Sequence, residues 1–504
     1  MPRSAVMAIT VLGLAALLLS TTFALVRSAQ LAGSRTQIAA LRSELAEARE
    51  DTPDGGAGAD ATEPANPLDD LLDGGEGGLD DLFSEDGGLE DLLGGDVEQL
   101  ARCIQQAGRP GSNDVPDGAA TEQIAQISDT VQALRSLSFD EEPSPDFLDD
   151  ARITERLAAE VREEYDEGDA DADQRMLTML GAVPPGLDLI ELQTDLLTSQ
   201  VAGFYDPDTG ELVVRGDASD EGLDPAAQST LAHELEHALA DQAFDLPVEV
   251  TEDVTDSDAA LAALSVVEGD ATLTQQQFTV VGMTVAEQLG LNTDPGALAA
   301  QRQLADVPHY LAQSLQFPYL AGLRFACSRY LDGGWEAVDA VYDALPTTSA
   351  EILDPQRYGT AAVDPRDPGR LGGDWQRRRT TTLGAADLLW LFEAPGGDTT
   401  QALDEPRERA LAWTGGELAV WTDGEATALG VALTQEADGP LCDAVASWYE
   451  RAFPDATDAP TRRDERMIRE IRESPAQTGV LTCADTDVRL GIAPDLATAR
   501  ALVR

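Results

Sequence analysis

The sequence predicts an α+β fold, on three observations. Helical apolar periodicity covers most of the chain from about residue 97 onward. Two stretches, 201–216 and 416–433, read instead as β-hairpins, the first with β-prone runs flanking a Pro/Asp/Gly turn. These hairpins stand among helices rather than alternating with them, which argues for α+β and against a doubly wound parallel sheet.

The composition narrows the function classes. The chain has 504 residues, a hydrophobic fraction of 43%, 93 acidic residues against 33 basic ones, no lysine and a net charge of −60. Such a chain lacks the basic footprint that nucleic-acid binding requires. The acidity fits solubility or adaptation to high salt, where counterions screen self-repulsion.

Four regions follow from the pattern. Residues 1–27 are expected to form a signal anchor: the run from Ala5 to Val26 is uncharged, and as a helix it would reach about 33 Å, enough for a bilayer core of about 30 Å. A cleaved signal, with secretion of the rest, is the alternative; Thr22-Phe-Ala24 is only a fair cleavage site. Arg27, Arg35 and Arg42 after the span, against Arg3 before it, argue against export of the bulk. The even set Cys103, Cys327, Cys442 and Cys483 argues for it. The expectation is a single-pass membrane protein with its folded part outside the cytoplasm. In an oxidising compartment, Cys442 should pair with Cys483, both in the C-terminal portion, leaving Cys103 for Cys327.

Residues 28–97 read as a short charged helix over 35–50 and an acidic, glycine-rich linker over 51–97, where a Leu-acid-Asp-Leu unit recurs at Leu68, Leu79 and Leu89. This linker buries too little apolar surface to offset its ordering entropy. Residues 98–361 read as the main domain, and 362–504 as an α+β portion packed on it. Helices are expected over 97–107, 119–136 and 146–165. The Asp206-x-Asp208-x-Gly210 spacing resembles the opening of a calcium loop, but the later acidic ligand is missing and a plain turn fits better. Asp224 as N-cap and Pro225 in the first turn open a helix reaching about Gln242. Another starts near Ser257, and more cover 296–316, 318–331 and 334–344. Residues 362–378 read as a loop.

The chemistry lies in Ser229–Gln242, "STLAHELEHALADQ". Two of the three histidines in the chain, His233 and His237, sit four apart around Glu234. Chance would produce this H-E-x-x-H arrangement in roughly 1 of 500 such chains. On the helix, Leu231, Leu235, Ala238 and Leu239 form one apolar stripe and the histidines a second, facing another surface such as a cleft. The spacing brings two imidazoles to one zinc ion and stands Glu234 beside its water. Glu268 is the candidate third ligand. It falls in line with Leu261 and Leu264 on the apolar face of the next helix, where an unpaired carboxylate is costly. His309, the remaining histidine, follows Val307-Pro308, a loop-like start.

The chain here resembles the glutamate-zincins, metallopeptidases in which H-E-x-x-H is completed by a glutamate on a following helix. More narrowly, "GFYDPDTGELVVRG", "LAHELEHALADQ", "VVEGDATL", "FPYLAGLRF" and "TSAEILDPQRYG", in that order, are similar to a set of secreted or membrane-tethered predicted metallopeptidases without a known substrate. The resemblance spans about 120–450. It implies a zincin-like, mostly helical catalytic core with a hairpin or small sheet beside the motif helix. It also implies His233, His237 and Glu268 as zinc ligands and Glu234 as general base. One departure is Asp354-Pro355, where that set commonly has His-Pro.

The expected activity is hydrolysis of a peptide or protein substrate. Zinc acidifies a water and Glu234 takes its proton and returns it to the leaving amine. A second donor to the oxyanion is expected from Tyr319, His309 or Tyr358, with Tyr319 first because of its place in the resembling "FPY" motif. Asp241 or Asp270 is the candidate for orienting a ligand histidine. The alternative is a catalytically silent zinc-binding surface module that binds a protein or peptide partner.

Overall fold

The computed structural model describes residues 97–107, 115, 118–164, 167–219, 222–292, 295–471 and 477–504. The expected anchor over 1–27 and the linker over 28–97, apart from its last residue, lie outside the described residues. Among those described, no helix is long and apolar enough to cross a membrane. The architecture is α+β, as the helix and hairpin pattern predicts.

The N-terminal half is helical around one small sheet. Helices α1 (Val97–Gln105) and α2 (Ala120–Arg135) come first, then strand β1 (Asp146–Leu148), α3 (Asp150–Glu164), α4 (Glu167–Met179) and α5 (Leu189–Gln200). The periodicity predicts one helix over 146–165; the first three residues are extended instead, because β1 pairs in parallel with a distant strand, a contact that local periodicity does not encode. The predicted hairpin is β2 (Gly203–Asp206) and β3 (Glu211–Arg215), and the sheet order is β1-β3-β2. Its connection is a plain turn: Asp206 accepts from the Asp208 amide at 2.9 Å and from the Thr209 hydroxyl at 2.7 Å.

Helix α6 (Pro225–Phe244) begins as read, with the Asp224 side chain accepting from the Ala227 amide and proline in the first turn. After α7 (Val248–Thr251), α8 (Ser257–Gly282) runs for 26 residues, started by Asp256, which accepts from the Ala259 amide. Helices α9 (Val285–Asn292) and α10 (Pro295–Ala305) lead to α11 (His309–Gly333), α12 (Trp335–Tyr342) and α13 (Ser349–Leu353). The expected break at Pro318 does not occur, and the helix breaks at Asp306-Val307-Pro308 instead. A proline inside a helix costs about 3 kcal/mol. Here Phe317, Tyr319, Leu320 and Leu323 are all buried around it and outweigh that cost. At Pro308 the ring disfavours helical geometry in the residue before it, and the helix ends there although Leu304 and Val307 are buried.

Helices α8 and α11 cross at Gly269 and Gly322. A methyl group added to Gly269 would overlap the Gly322 backbone, and one on Gly322 would overlap Ser265 O. Glycine is required here for the close approach of two backbones.

The C-terminal portion is richer in strand than its sequence suggests. It holds β4 (Gln376–Thr382), α14 (Ala385–Glu393), α15 (Pro406–Ala410), β5 (Trp413–Thr422), β6 (Thr427–Gln435) and α16 (Leu441–Ala452). Beyond these come β7 (Thr457–Asp458), β8 (Met467–Ile471), β9 (Gln477–Ala484), β10 (Asp487–Ala493) and α17 (Leu496–Leu502). The seven strands form one antiparallel sheet in the order β4-β5-β6-β10-β9-β8-β7, with the predicted hairpin as β5–β6. Its two faces alternate as strand geometry demands. Leu418, Val420, Leu429 and Val431 face α14, α16 and Phe317 and Phe325 of α11 in the largest core cluster. Ala419, Trp421 and Ala428 face Leu502 of α17 and Trp375. The first cluster contains residues from both sides of position 361, so one core joins the two regions. Both expected disulfides are present: Cys103–Cys327 ties α1 to α11, with Cα atoms 5.8 Å apart, and Cys442–Cys483 ties α16 to β9, at 6.2 Å.

Candidate metal centre

The motif helix is more enclosed than its apolar stripe predicts. Every residue of α6 from Ala227 to Ala240 is buried. Leu231, Leu235, Ala238 and Leu239 pack against Ile127 and Val131 of α2 and Leu212 and Val214 of β3. The histidines do not face an open cleft. They face α8, because the second stripe is needed to pack that helix.

That packing brings Glu268 to the histidines. His233 Nε2 lies 3.2 Å from Glu268 Oε2, His237 Nε2 lies 3.5 Å from the same oxygen, and the two Nε2 atoms are 3.1 Å apart. Among the described residues these three side chains form a group able to hold a metal ion, with ligand atoms within 4.8 Å of one another. All three are buried, so Glu268 sits inside α8 and not at a frayed end.

Glu234 completes the arrangement. Both of its carboxylate oxygens are buried and without a protein partner, as is Glu268 Oε1. Bare carboxylate oxygens in a protein interior are expensive unless an ion or water meets them. Burial pushes the Glu234 carboxyl up to about 8, against the opposing pull of His237. At Glu268 burial acts in the same direction, but His237 and His233 overcome it and hold the carboxyl below its ordinary value. Strand β2 roofs this part of α6. A Cβ on Gly203 would lie 2.7 Å from Thr230 Cγ2 and 3.2 Å from Glu234 Cγ, so only glycine lets the strand cross here.

Of the three candidate donors, the structure brings Tyr319 to the histidines. Its ring stacks at 6.2 Å from that of His233, with 29° between planes. His309 is elsewhere, its Nε2 2.9 Å from Glu393 Oε2, and Tyr358 Oη donates to Ala344 O at 2.6 Å. Neither expected orienting acid touches a histidine. Asp241 accepts from Tyr205 Oη at 2.8 Å, while Asp270 accepts from Arg135 at 3.0 Å and from Tyr342 Oη at 3.1 Å.

What stands in their place is not foreshadowed by any motif. Arg135, wholly buried, reaches Glu236 Oε1 at 3.3 Å, Asp270 Oδ2 at 3.0 Å and Asp339 Oδ1 at 2.9 Å, and lies 4.1 Å from the Trp335 ring centroid. It ties α2, α6, α8 and α12 together behind the site. Burial lowers an arginine's pKa, but Asp270, Glu236 and Asp339 overcome it here and hold the guanidinium above its usual range. The free oxygen of Glu236 stands 4.0 Å from His237 Nδ1. The one sequence signal is Glu236 itself, a charge inside a motif whose helix is otherwise apolar on that side.

No family model matches the chain, and neither does any curated protein or any solved structure.

Proposed function

We propose that the chain is a zinc metallopeptidase of zincin-like architecture, tethered to a membrane with its folded part outside the cytoplasm. One observation carries the reading: a carboxylate from one helix meets two imidazoles from another, close enough together to hold one ion. Tetrahedral zinc, with bonds of about 2.0–2.2 Å to nitrogen and oxygen, sets its ligand atoms about 3.3–3.5 Å apart. Here the separations are 3.1, 3.2 and 3.5 Å, the first two just short of that range. Two imidazoles favour zinc over calcium or magnesium, which prefer oxygen. Three protein ligands leave the fourth position that a catalytic site keeps open.

A bound zinc would supply Lewis acidity to a water and to the scissile carbonyl. The chain's own residues do the rest. Glu234, whose two carboxylate oxygens have no protein partner, takes a proton from the attacking water and delivers it to the leaving amine. Tyr319, whose ring stacks on that of His233, is the donor to the developing oxyanion in this reading. The membrane tether rests on the uncharged run over 5–26, and the export on the two cysteine pairs, which need an oxidising compartment.

A silent zinc-binding module is the second reading. It is favoured by the complete burial of His233, Glu234 and Glu268. Metal analysis of the purified chain, with peptide hydrolysis measured before and after chelation, separates the two. Stoichiometric zinc with chelator-sensitive hydrolysis supports the peptidase. Glu234→Gln should then keep the zinc and lose about 10²–10⁴-fold in rate. Zinc without hydrolysis of any peptide supports the module, and no zinc sinks both.

A further inference from the structure

Leu192 and Leu196 of α5, Leu261 and Leu264 of α8, and Leu311 and Leu315 of α11 converge on a cavity of about 230 Å³. Trp390 of α14 and Leu418 of β5 close its far side. Leu192, Leu261, Leu311 and Leu315 pack against the core on one side but are only half-buried, so each also turns apolar surface to the cavity. A cavity of about 150 Å³ is enough for a benzene ring. This one has room for an aromatic or branched aliphatic side chain.

It lies along two of the helices that build the metal centre, although no ligand, nor Glu234 or Tyr319, lines it. Leu264 and Leu261 precede Glu268 on α8 by one and two turns, about 6 and about 10 Å of helix rise. Leu315 precedes Tyr319 on α11 by one turn, and Tyr319 belongs to the same apolar cluster as Leu192, Leu196 and Leu315. The two helices that carry a candidate ligand and a candidate oxyanion donor therefore line the cavity one turn earlier. The lining also holds a few polar residues, Gln193, Ser314 and Arg379 among them. An apolar hollow with a few polar groups at its wall is the usual make-up of a ligand pocket.

We propose that this cavity is the specificity pocket of the peptidase and takes a large apolar side chain, such as phenylalanine or leucine, from a peptide substrate. The proposal rests on the peptidase reading for its substrate.

The test uses the full chain and the neutral fluorophore N-phenyl-1-naphthylamine. The parent should bind it saturably, one per chain. Phenylalanine- and leucine-containing peptides should displace it, and their alanine counterparts should not. Leu261→Trp and Leu315→Trp, each checked for folding by circular dichroism, should weaken probe binding about tenfold or more. They should also lower the ratio of kcat/KM for bulky over small substrates by about tenfold or more. Probe binding unchanged in a folded tryptophan variant overturns the proposal. So does displacement by dodecanoate but by no peptide, which would assign the cavity to an acyl chain. Displacement on the parent decides the matter even where neither variant folds. If bulky peptides displace the probe and none is hydrolysed, the pocket stands and the peptidase reading falls. If peptides are hydrolysed with no bulky preference and none displaces the probe, the reverse holds.

Discussion

Three residues carry the metal reading, two imidazoles from α6 and one carboxylate from α8. His233 and His237 stood out because histidine is so rare here, and Glu268 because a carboxylate lay on a leucine stripe. The third ligand gives the sharpest test. Glu268→Ala should abolish stoichiometric zinc binding, measured by metal analysis after dialysis, because it removes the oxygen that meets both imidazoles. His309→Ala should leave zinc content near the parent's, since His309 is engaged with Glu393 instead. Zinc lost from the second and kept by the first would reassign the ligand. A second residue governs pH. Burial pushes the Asp258 carboxyl up to about 8, with Asp387 adding to the effect and Ser349 opposing it. In the unfolded chain an aspartate titrates near about 3.9. Between those values the folded state holds a proton that the unfolded state has released, so this group's contribution to stability is lost as pH rises from about 4 to about 8. Asp258→Asn should therefore gain stability over the parent progressively across that window, and urea unfolding at about pH 5 and pH 7.5 reads it. Arg135 was beyond reach from sequence. Nothing local reveals that one arginine will meet acids 101, 135 and 204 positions away.

Helices were far easier to read than strands, and the reason is physical. A helix satisfies its backbone within one segment, so its caps and period are written locally, as Asp224, Pro225 and Asp256 show. A strand is defined by its partner. β1 is three residues long and owes its existence to β3, more than sixty positions later. The first three residues of β4, 376–378, fall in the stretch read as a loop over 362–378; they belong instead to a strand at the sheet edge, where arginines suit an exposed position. The element that positions Glu268 most directly is the crossing of α8 and α11. Gly269→Ala would drive a methyl group into the Gly322 backbone and should destabilise the chain by about 1–3 kcal/mol or more. In α9, a methyl group added to Gly290 would meet no atom nearer than 4.0 Å, and Gly290→Ala should gain about 0.5–1 kcal/mol from helix propensity. Chemical denaturation of both variants checks the contrast, and equal effects would mean the crossing is loose.

At the scale of the whole molecule, charge opposes folding and covalent links restrain it. A net charge of −60 repels itself, and added salt screens that repulsion. The melting temperature should rise as sodium chloride is raised to moderate concentration; a steady fall would contradict this. The Cys103–Cys327 pair, 224 positions apart in sequence, has a different consequence. It closes the backbone into a ring, and His233, Glu234, His237 and Glu268 all lie on that ring. Any one cut within it opens the circle to a line without parting the pieces, so the four groups stay on one molecule. For a chain that sits among proteases, or is one, such a nick is then a wound and not an amputation.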